Sequence, residues 1–318
     1  MIDHTRRRVS AGTAGGFDVW TASAVEDGPN VVVLGGIHGD ETQGVLAAGR
    51  LAIDDTRLTR GSIAIVPICH EAAFEADSRI SSIDGGNLAR VFPGDSSGSA
   101  TAQIAHHLFT EVLSGADLLI DLHTSGQDYD MPFLAGYQAD TITADSLAKQ
   151  AASAFGAEFL WRHPGRTEGR SVSVVDQAIY VECPGGGPVS SASVDAYVTG
   201  VRRVLAMMDM VTGAPPDPAS APIGVTGGGD LDRDMISVRH EGQFLTDLAG
   251  GAKVEAGQLL GTVVTSGGQV LEEVRAPEDA WVMAVKRRPP VVRDDLVVCL
   301  AASDSNVDYR GRAGIDLK

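Results

Sequence analysis

The chain has 318 residues, of which 43% are hydrophobic, 5% aromatic and 21% charged, and its formal net charge is −17. This length predicts one large domain or two domains with a well-formed core, and no apolar run approaches the length of a membrane span. The acidic balance argues against nucleic acid as a partner.

The cysteines favour a reducing, cytoplasmic setting. Cys69, Cys183 and Cys299 are widely spaced and form neither a zinc-knuckle nor a disulfide pattern. The first residues are charged, but no apolar stretch of a signal peptide follows them.

The stretch Val31–Thr42 combines a predicted strand with the first two candidate site residues. Its apolar, mostly β-branched start predicts a buried strand that ends at a glycine pair, after which His38 and Glu41 stand three residues apart. Residues 44–52 predict a helix, and residues 61–68 predict the next strand. A strand, a helix and a strand with short connections predict a βαβ unit in a parallel sheet.

The other elements are predicted from apolar spacing and from Gly and Pro breaks. In chain order they are an edge hairpin (9–25), an irregular segment (69–99), a helix (100–113), a strand (118–123), a helix (145–156), a strand (178–182) and a helix (191–210). We expect a loop after His123, with Tyr129 and Tyr137 in it. Long irregular segments in compact domains are usually functional, so 69–99 is a candidate for substrate contacts.

The chain changes character near residue 212. Residues 212–222 are rich in Pro and small residues, which predicts a linker. Beyond the linker, short β-rich pieces broken by glycine pairs predict a small all-β domain. The sequence therefore predicts a first domain at 1–211, the linker, and a second domain with a tail at 223–318.

Three predicted strand ends carry groups suited to metal binding or acid–base work. They are His38 with Glu41, His123, and Glu182, each followed by Gly or small residues. Ligands of α/β sheets bind beyond the carboxyl ends of the strands, and His nitrogen and Glu oxygen atoms are zinc ligands. A lone His after a strand is usually structural, but together these residues predict a metal site.

Asp121 precedes His123 by two residues, so both side chains point to one face of a strand. Two interpretations stay open. Asp121 orients the imidazole, as carboxylates behind metal ligands do, or it only caps a neighbouring turn.

The motifs Gly-Gly-Ile-His38-Gly-Asp-Glu41, Asp121-Leu-His123 and Val-Glu182-Cys-Pro-Gly resemble those of a known family. In combination they look like the succinylglutamate desuccinylase/aspartoacylase family, which belongs with the zinc carboxypeptidases in the wider sense. The combination is specific, although each motif is short.

The resemblance covers roughly residues 25–210. It implies an α/β fold of the zinc-carboxypeptidase type, with a mixed, mostly parallel sheet flanked by helices. It implies a zinc-dependent hydrolase in which His38, Glu41 and His123 hold one Zn2+ per subunit. Glu182 would then act as general base and general acid.

Residues 223–303 are similar to a lipoyl- or biotinyl-type barrel-sandwich domain, which members of this family often carry. The lysine that would bear a cofactor is not evident, so we expect a structural or lid role. Because β-domains of this type often join subunits, a homo-oligomer is one hypothesis.

The residue types support metal-assisted hydrolysis of an amide independently of the family resemblance. Zinc polarises an amide carbonyl and lowers the pKa of a bound water towards ~7. A carboxylate near that water can take its proton and pass it to the leaving amine. Glu182 is the candidate, because it is the ionisable group of an otherwise Gly- and Pro-rich strand end.

The long irregular segment is expected to hold the substrate. Arg79 and Arg90 are guanidinium forks suited to a carboxylate, and Asn87 is a neutral donor close to them. The family pattern has Asn and Arg adjacent at the end of this segment, whereas here Ala89 precedes Arg90. Asn87 is the candidate replacement for the missing Asn.

The family also implies a substrate-binding Arg shortly before the strand of Glu182. The sequence offers Arg162, Arg166 and Arg170 and does not choose among them; we take Arg170 as the candidate.

The leading hypothesis is a zinc-dependent deacylase that removes a short acyl group from an N-acyl amino acid or a related carboxylated amine. One alternative is a zinc carboxypeptidase that acts on small peptides. Another is a relative that binds metal without catalysis. The presence of His38, Glu41, His123 and Glu182 together argues against this alternative. The expected partner is a small molecule, with neither nucleic acid nor a membrane involved.

Overall fold

A computed structural model describes most of the chain. The expected helix start at Asp145, the candidate Arg166 and the tail at 305–318 lie outside the described residues. The described ranges are 3–12, 15–54, 57–139, 146–165, 167–185, 188–213, 215–218, 220–228 and 231–304.

The strands of the first two thirds are β1 (Asp3–Ser10), β2 (Gly16–Ser23), β3 (Glu26–Gly35), β4 (Arg60–Val66), β5 (Leu118–Leu122), β6 (Tyr129–Asp130), β7 (Leu134–Ala139), β8 (Phe159–Pro164) and β9 (Ala178–Glu182). Except for β6, which pairs with a C-terminal strand, they form one mixed sheet in the order β1-β2-β4-β3-β5-β9-β7-β8.

Helices cover both faces of this sheet, and in the described part of the chain three single turns lie between the helices. The helices are α1 (Thr42–Ala52), α2 (Glu71–Glu75), α3 (Ala100–Leu108), α4 (Leu147–Phe155) and α5 (Ser191–Met207). The turns are two 3-10 turns (Leu88–Arg90 and Ser171–Ser173) and a wider π-type turn (Phe109–Leu113).

The predicted βαβ unit is confirmed. β3 and β4 pair in parallel, with Val31 opposite Ile63, and α1 connects them. An edge hairpin is also present, as β1 pairs antiparallel with β2, but it begins at Asp3 rather than at residue 9 as predicted. Alternate residues of β3 serve opposite faces, as strand geometry requires: Val31 and Val33 pack under α1 and α5, whereas Val32 packs on the α3 side.

The expected loop after His123 is wrong. Tyr129 lies in β6 and Tyr137 lies in β7, which is paired on both sides, with β9 and β8. The sequence of β7 is Leu-Ala-Gly-Tyr-Gln-Ala, which lacks β-branched residues and therefore gives a weak strand signal. A Cβ atom at Gly136 would lie 2.1 Å from the Tyr180 ring, so packing against β9 requires glycine there.

The C-terminal strands continue from the same sheet. β10 (Ile223–Thr226) pairs in parallel with β8 and antiparallel with the last described strand, β18 (Leu296–Ser303). Then come β11 (Met235–Ser237), β12 (Gly242–Leu245), β13 (Lys253–Val254), β14 (Leu259–Val264), β15 (Val270–Arg275), β16 (Ala280–Lys286), β17 (Pro290–Val291) and β18 (Leu296–Ser303).

Four of these strands form a second sheet, in the order β15-β14-β12-β17. One apolar core lies among the C-terminal strands, and a second core, containing Phe159, Trp161 and Met283, joins them to β8. The fold is mixed α/β. A separate all-β domain beyond residue 222 stays a prediction, since β10 links the two parts by hydrogen bonds.

Among the described residues, none of the helices combines the length and the apolar character needed to span a membrane.

Candidate active site

Three adjacent strands bring the predicted residues to one edge of the sheet. β3, β5 and β9 are parallel neighbours, so their carboxyl ends meet, as predicted. His38 follows β3, His123 follows β5, and Glu182 ends β9. All three residues line one cavity of about 70 Å3.

Glu41 joins this cluster because α1 begins very close to β5. Glu41 is the residue before the first turn of α1. A Cβ atom at Gly44 would lie 2.3 Å from the Leu122 carbonyl oxygen, so only glycine allows this approach. The carboxylate of Glu41 therefore reaches His123 and accepts a hydrogen bond from the backbone N–H of Thr124 at 3.1 Å.

The Glu41 carboxylate lies between the two imidazoles. Its Oε1 is 2.7 Å from Nδ1 of His38, and its Oε2 is 2.8 Å from Nδ1 of His123. His38, Glu41 and His123 are only 2%, 1% and 8% exposed. One ligand atom from each lies within 4.8 Å of the other two, which makes this a set that could hold a metal ion.

Each imidazole has a partner at its Nε2 atom, and this contact directs its Nδ1 atom toward Glu41. Asn87 Oδ1 lies 3.1 Å from His38 Nε2, and it also accepts the backbone N–H of Ala89 at 3.0 Å, which fixes the orientation of the amide. Asp121 Oδ2 lies 3.1 Å from His123 Nε2 and accepts the hydroxyl of Ser171. Both Nε2 atoms therefore donate.

This arrangement fits zinc. A metal-ligating His usually donates its other ring N–H to a carboxylate or carbonyl oxygen, which fixes its tautomer and ring orientation. Of the two interpretations of Asp121, the hydrogen bond to His123 supports the one in which Asp121 orients the imidazole. Asn87 was predicted to contact substrate; here its oxygen is used by His38 and Ala89, and its substrate role stays a prediction.

Burial and neighbouring charges set the protonation of the cluster. Burial, with help from the Arg79 charge, lowers the pKa of His38 to about 4. Burial opposes ionisation of Glu41, but the two histidines hold its pKa well below the usual value. Burial also disfavours the charged form of His123, yet Asp121 and Glu41 together raise its pKa well above the usual value.

Arg79 points at the ligand cluster. Its Nη1 donates to Glu41 Oε1 at 3.1 Å and lies 3.1 Å from His38 Nδ1. The side chain is 40% exposed, so it reaches in from the mouth of the cavity. This guanidinium therefore places a positive charge beside His38 and Glu41.

Glu182 is a buried carboxylate without a partner for one of its oxygens. Oε2 has no hydrogen-bond partner among the described residues, and the side chain is 8% exposed. Burial, followed by repulsion from Glu41, raises the pKa of Glu182 to about 8. A raised pKa and an unused oxygen in a cavity suit a group that exchanges protons with a ligand.

The remaining substrate candidates lie around the cavity. Arg90 and Arg170 line it, whereas Arg162 Nε is bound by Asp304 at 2.7 Å. Arg90 donates from Nε to Asp232 and from Nη1 to the carbonyl of Ala89. The roles of Arg79, Arg90 and Arg170 in substrate binding stay predictions.

Sequence reasoning missed a hydrogen-bonded pair in the cavity wall, His163 and Tyr180. His163 Nδ1 donates to the Gly228 carbonyl at 3.1 Å, so its Nε2 accepts the Tyr180 hydroxyl at 2.6 Å. Burial lowers the pKa of His163 to about 4, which keeps it neutral in this role. A signal for Tyr180 was available, because it stands two residues before Glu182 on one strand and must share its face.

Two comparisons with known proteins connect this site to a family. Residues 27–208, more than half of the chain, match the succinylglutamate desuccinylase/aspartoacylase catalytic domain. The N-alpha-acetyl-L-2,4-diaminobutyric acid deacetylase of Halomonas elongata is 31% identical over 280 residues, covering 84% of this chain and 80% of that protein.

Solved structures show the same fold over nearly the whole chain. A succinylglutamate desuccinylase from Silicibacter sp. TM1040 superposes with a TM-score of 0.82 at 23% identity, covering 95% of both chains. The product-bound ectoine utilization protein EutE (DoeB) from Ruegeria pomeroyi superposes with a TM-score of 0.82 at 25% identity, also over 95% of both chains. The resemblance predicted from the motifs is confirmed: this chain belongs to the succinylglutamate desuccinylase/aspartoacylase family of deacylating hydrolases.

Proposed function

We propose that this protein is a zinc-dependent amidohydrolase that removes a short acyl group from an N-acyl amino acid. The observation that carries the proposal is the pair of inward Nδ1 atoms, each beside one oxygen of Glu41 and each held from behind by a hydrogen bond from Nε2. His38, Glu41 and His123 would hold the zinc as three protein ligands, the number typical of catalytic zinc sites.

When bound, zinc polarises the amide carbonyl and acidifies a water molecule. Glu182 would take a proton from the attacking water and later pass it to the leaving nitrogen, a role that its raised pKa and its unused Oε2 support. A cation beside Glu182 lowers the pKa of its carboxyl group from about 8, because an opposite charge favours the carboxylate. Arg79 stabilises negative charge that develops on the carbonyl oxygen.

The size and charge of the cavity support a small carboxylated substrate. A space of about 70 Å3 suits a short acyl group better than a peptide. Arg90 and Arg170 in the wall offer guanidinium donors to a carboxylate. The Halomonas relative is named as a deacetylase of N-alpha-acetyl-L-2,4-diaminobutyric acid, so N-acetyl diamino acids are the first substrates to test.

A substrate panel tests the proposal. The zinc-loaded protein is given N-acetyl, N-formyl and N-succinyl amino acids, among them N-alpha-acetyl-2,4-diaminobutyrate, together with short unblocked peptides. We expect free amine to be released from at least one N-acyl amino acid and the peptides to stay intact. Release of C-terminal residues from the peptides would instead identify a carboxypeptidase, and no release from any compound would contradict the hydrolase proposal.

A further inference from the structure

Residues 227–228 and the segment 231–234 follow β10 and lie at the cavity wall. The carbonyl of Gly227 accepts the indole N–H of Trp161 at 2.8 Å, and that of Gly228 accepts from His163 at 3.1 Å. Leu231 lines the cavity. These contacts come from residues beyond the 27–208 range that matches the family catalytic domain.

Asp232 of this segment holds Arg90. Asp232 Oδ2 accepts from Arg90 Nε at 2.5 Å, and the Ala89 carbonyl accepts from Arg90 Nη1 at 3.0 Å. The third nitrogen, Nη2, is buried and has no hydrogen-bond partner among the described residues. Leaving a charged donor buried and unpaired is costly, so Nη2 is the atom of Arg90 that a ligand would satisfy.

We propose that Asp232 is a positioning residue that fixes the Arg90 guanidinium so that Nη2 receives the carboxylate of the substrate. This inference rests on the proposed function for the identity of the ligand. Two of the three nitrogens of Arg90 are held by the protein, so the plane of the guanidinium is set before the ligand arrives. Preorganisation of this kind improves affinity by reducing the ordering that binding requires.

The alternative role for Asp232 is to compete with the substrate carboxylate for Arg90. Asp232 faces not only Arg90 but also the charges of Arg170 and Arg79, so an internal carboxylate could occupy the place of the substrate. The bond through Nε favours positioning, because it leaves Nη2 unused. The two roles predict opposite changes in affinity when Asp232 is removed.

Ligand binding decides between them. Zinc-loaded Glu182→Gln protein, in which turnover is slowed, is titrated calorimetrically with N-alpha-acetyl-2,4-diaminobutyrate and with N-acetyl-1,3-diaminopropane, the same molecule without its carboxylate. Adding Asp232→Ala should weaken binding of the first ligand about five- to tenfold, since this half-exposed pair is worth less than a buried one. Binding of the second ligand should change less than twofold.

Two further variants sharpen the result. Asp232→Asn keeps an oxygen that can accept from Nε, so it should recover part of the affinity that Asp232→Ala loses. Asp247→Asn, at an exposed aspartate between β12 and β13, should bind both ligands as the parent does. Unchanged or tighter binding of the carboxylate ligand by Asp232→Ala, or equal weakening for both ligands, would overturn the proposal.

A readout without ligand separates this inference from the proposed function. The Nε–H resonance of Arg90, assigned with Arg90→Lys, should exchange slowly with water in the parent and faster in Asp232→Ala. An exchange rate that does not change would overturn the positioning role. A parent that binds neither ligand, with an exchange rate that still responds to Asp232→Ala as expected, would show that the proposed substrate class is wrong. In that case the positioning of Arg90 by Asp232 is supported.

Discussion

The floor and the rim of the cavity are built in different ways. At the floor, His38, His123 and Glu182 stand at the ends of adjacent parallel strands and are almost fully buried. At the rim, Arg79 and Arg90 come from the irregular segment after β4, and their side chains are 40% and 23% exposed. The proposed function assigns metal binding and proton transfer to the floor, and binding of the substrate carboxylate to Arg90 at the rim.

Such a division makes separable predictions. Changes at the floor should alter turnover and metal affinity. Changes at Arg90, which does not contact the ligand cluster, should alter substrate affinity and leave turnover and metal affinity intact.

The largest effect on turnover is expected for Glu182→Gln. This variant keeps the shape of the side chain but cannot carry a proton, and general acid–base catalysis is typically worth about 10²- to 10⁴-fold. We expect kcat to fall by about that factor while one zinc per chain is retained, as measured by steady-state kinetics and metal analysis. A variant with kcat near that of the wild type would contradict the role of Glu182.

A smaller effect at the floor is expected for Asp121→Asn, which weakens the hydrogen bond that orients His123. Substitution of a group behind a metal ligand typically costs about 10- to 100-fold in metal affinity or activity. Competition with a zinc chelator measures the affinity. Asp27→Asn, at an exposed position of β3, is the matched control and should bind zinc as the wild type does.

At the rim, Arg90→Lys should raise KM by about tenfold, because an ammonium group cannot keep the bond to Asp232 and also present a planar fork to a carboxylate. Steady-state kinetics on the best substrate of the panel measures this. Zinc content and kcat should stay within about twofold of the wild type. A loss of zinc in this variant would show that rim and floor are not separable.

The smallest effect concerns the stability of the metal-free protein. The folded-state pKa of Glu182, about 8, lies above the ordinary value of 4.5. A group with a raised pKa stabilises the fold fully below its unfolded-state pKa and loses this contribution as the pH rises through the folded-state value. Between about pH 4.5 and pH 8, the metal-free wild type should therefore lose stability relative to Glu182→Gln.

Urea unfolding at a series of pH values measures this difference. We expect it to level off above about pH 8. A difference that does not depend on pH would mean that Glu182 is not protonated in the metal-free fold.

The floor could be predicted from sequence because its signals are local. A β-branched run followed by His38 and Glu41, and a buried strand ending at His123, each fit within a few residues. Parallel pairing then forces their ends together, and the structure confirms that pairing.

Arg79 and Arg90 were named from the sequence, but their contacts and part of the sheet could not be predicted, because the signals for these are long-range. Asp232 stands 142 residues after Arg90 in the chain, and nothing in its local sequence marks it. β7 was missed since its strand character comes from pairing with β8 and β9 rather than from its own composition. The sequence shows that Ala89 stands where the family pattern has Asn, but only the structure shows that Asn87 contacts His38.

The central claim is that His38, Glu41 and His123 hold one zinc ion, and zinc analysis of Glu41→Gln tests it most directly. Glu75→Gln, at an exposed position of α2, is the matched control. The wild type and the control should each contain one zinc per chain after gel filtration, and Glu41→Gln should contain far less. A full complement of zinc in Glu41→Gln, or none in the wild type after zinc loading, would contradict the account.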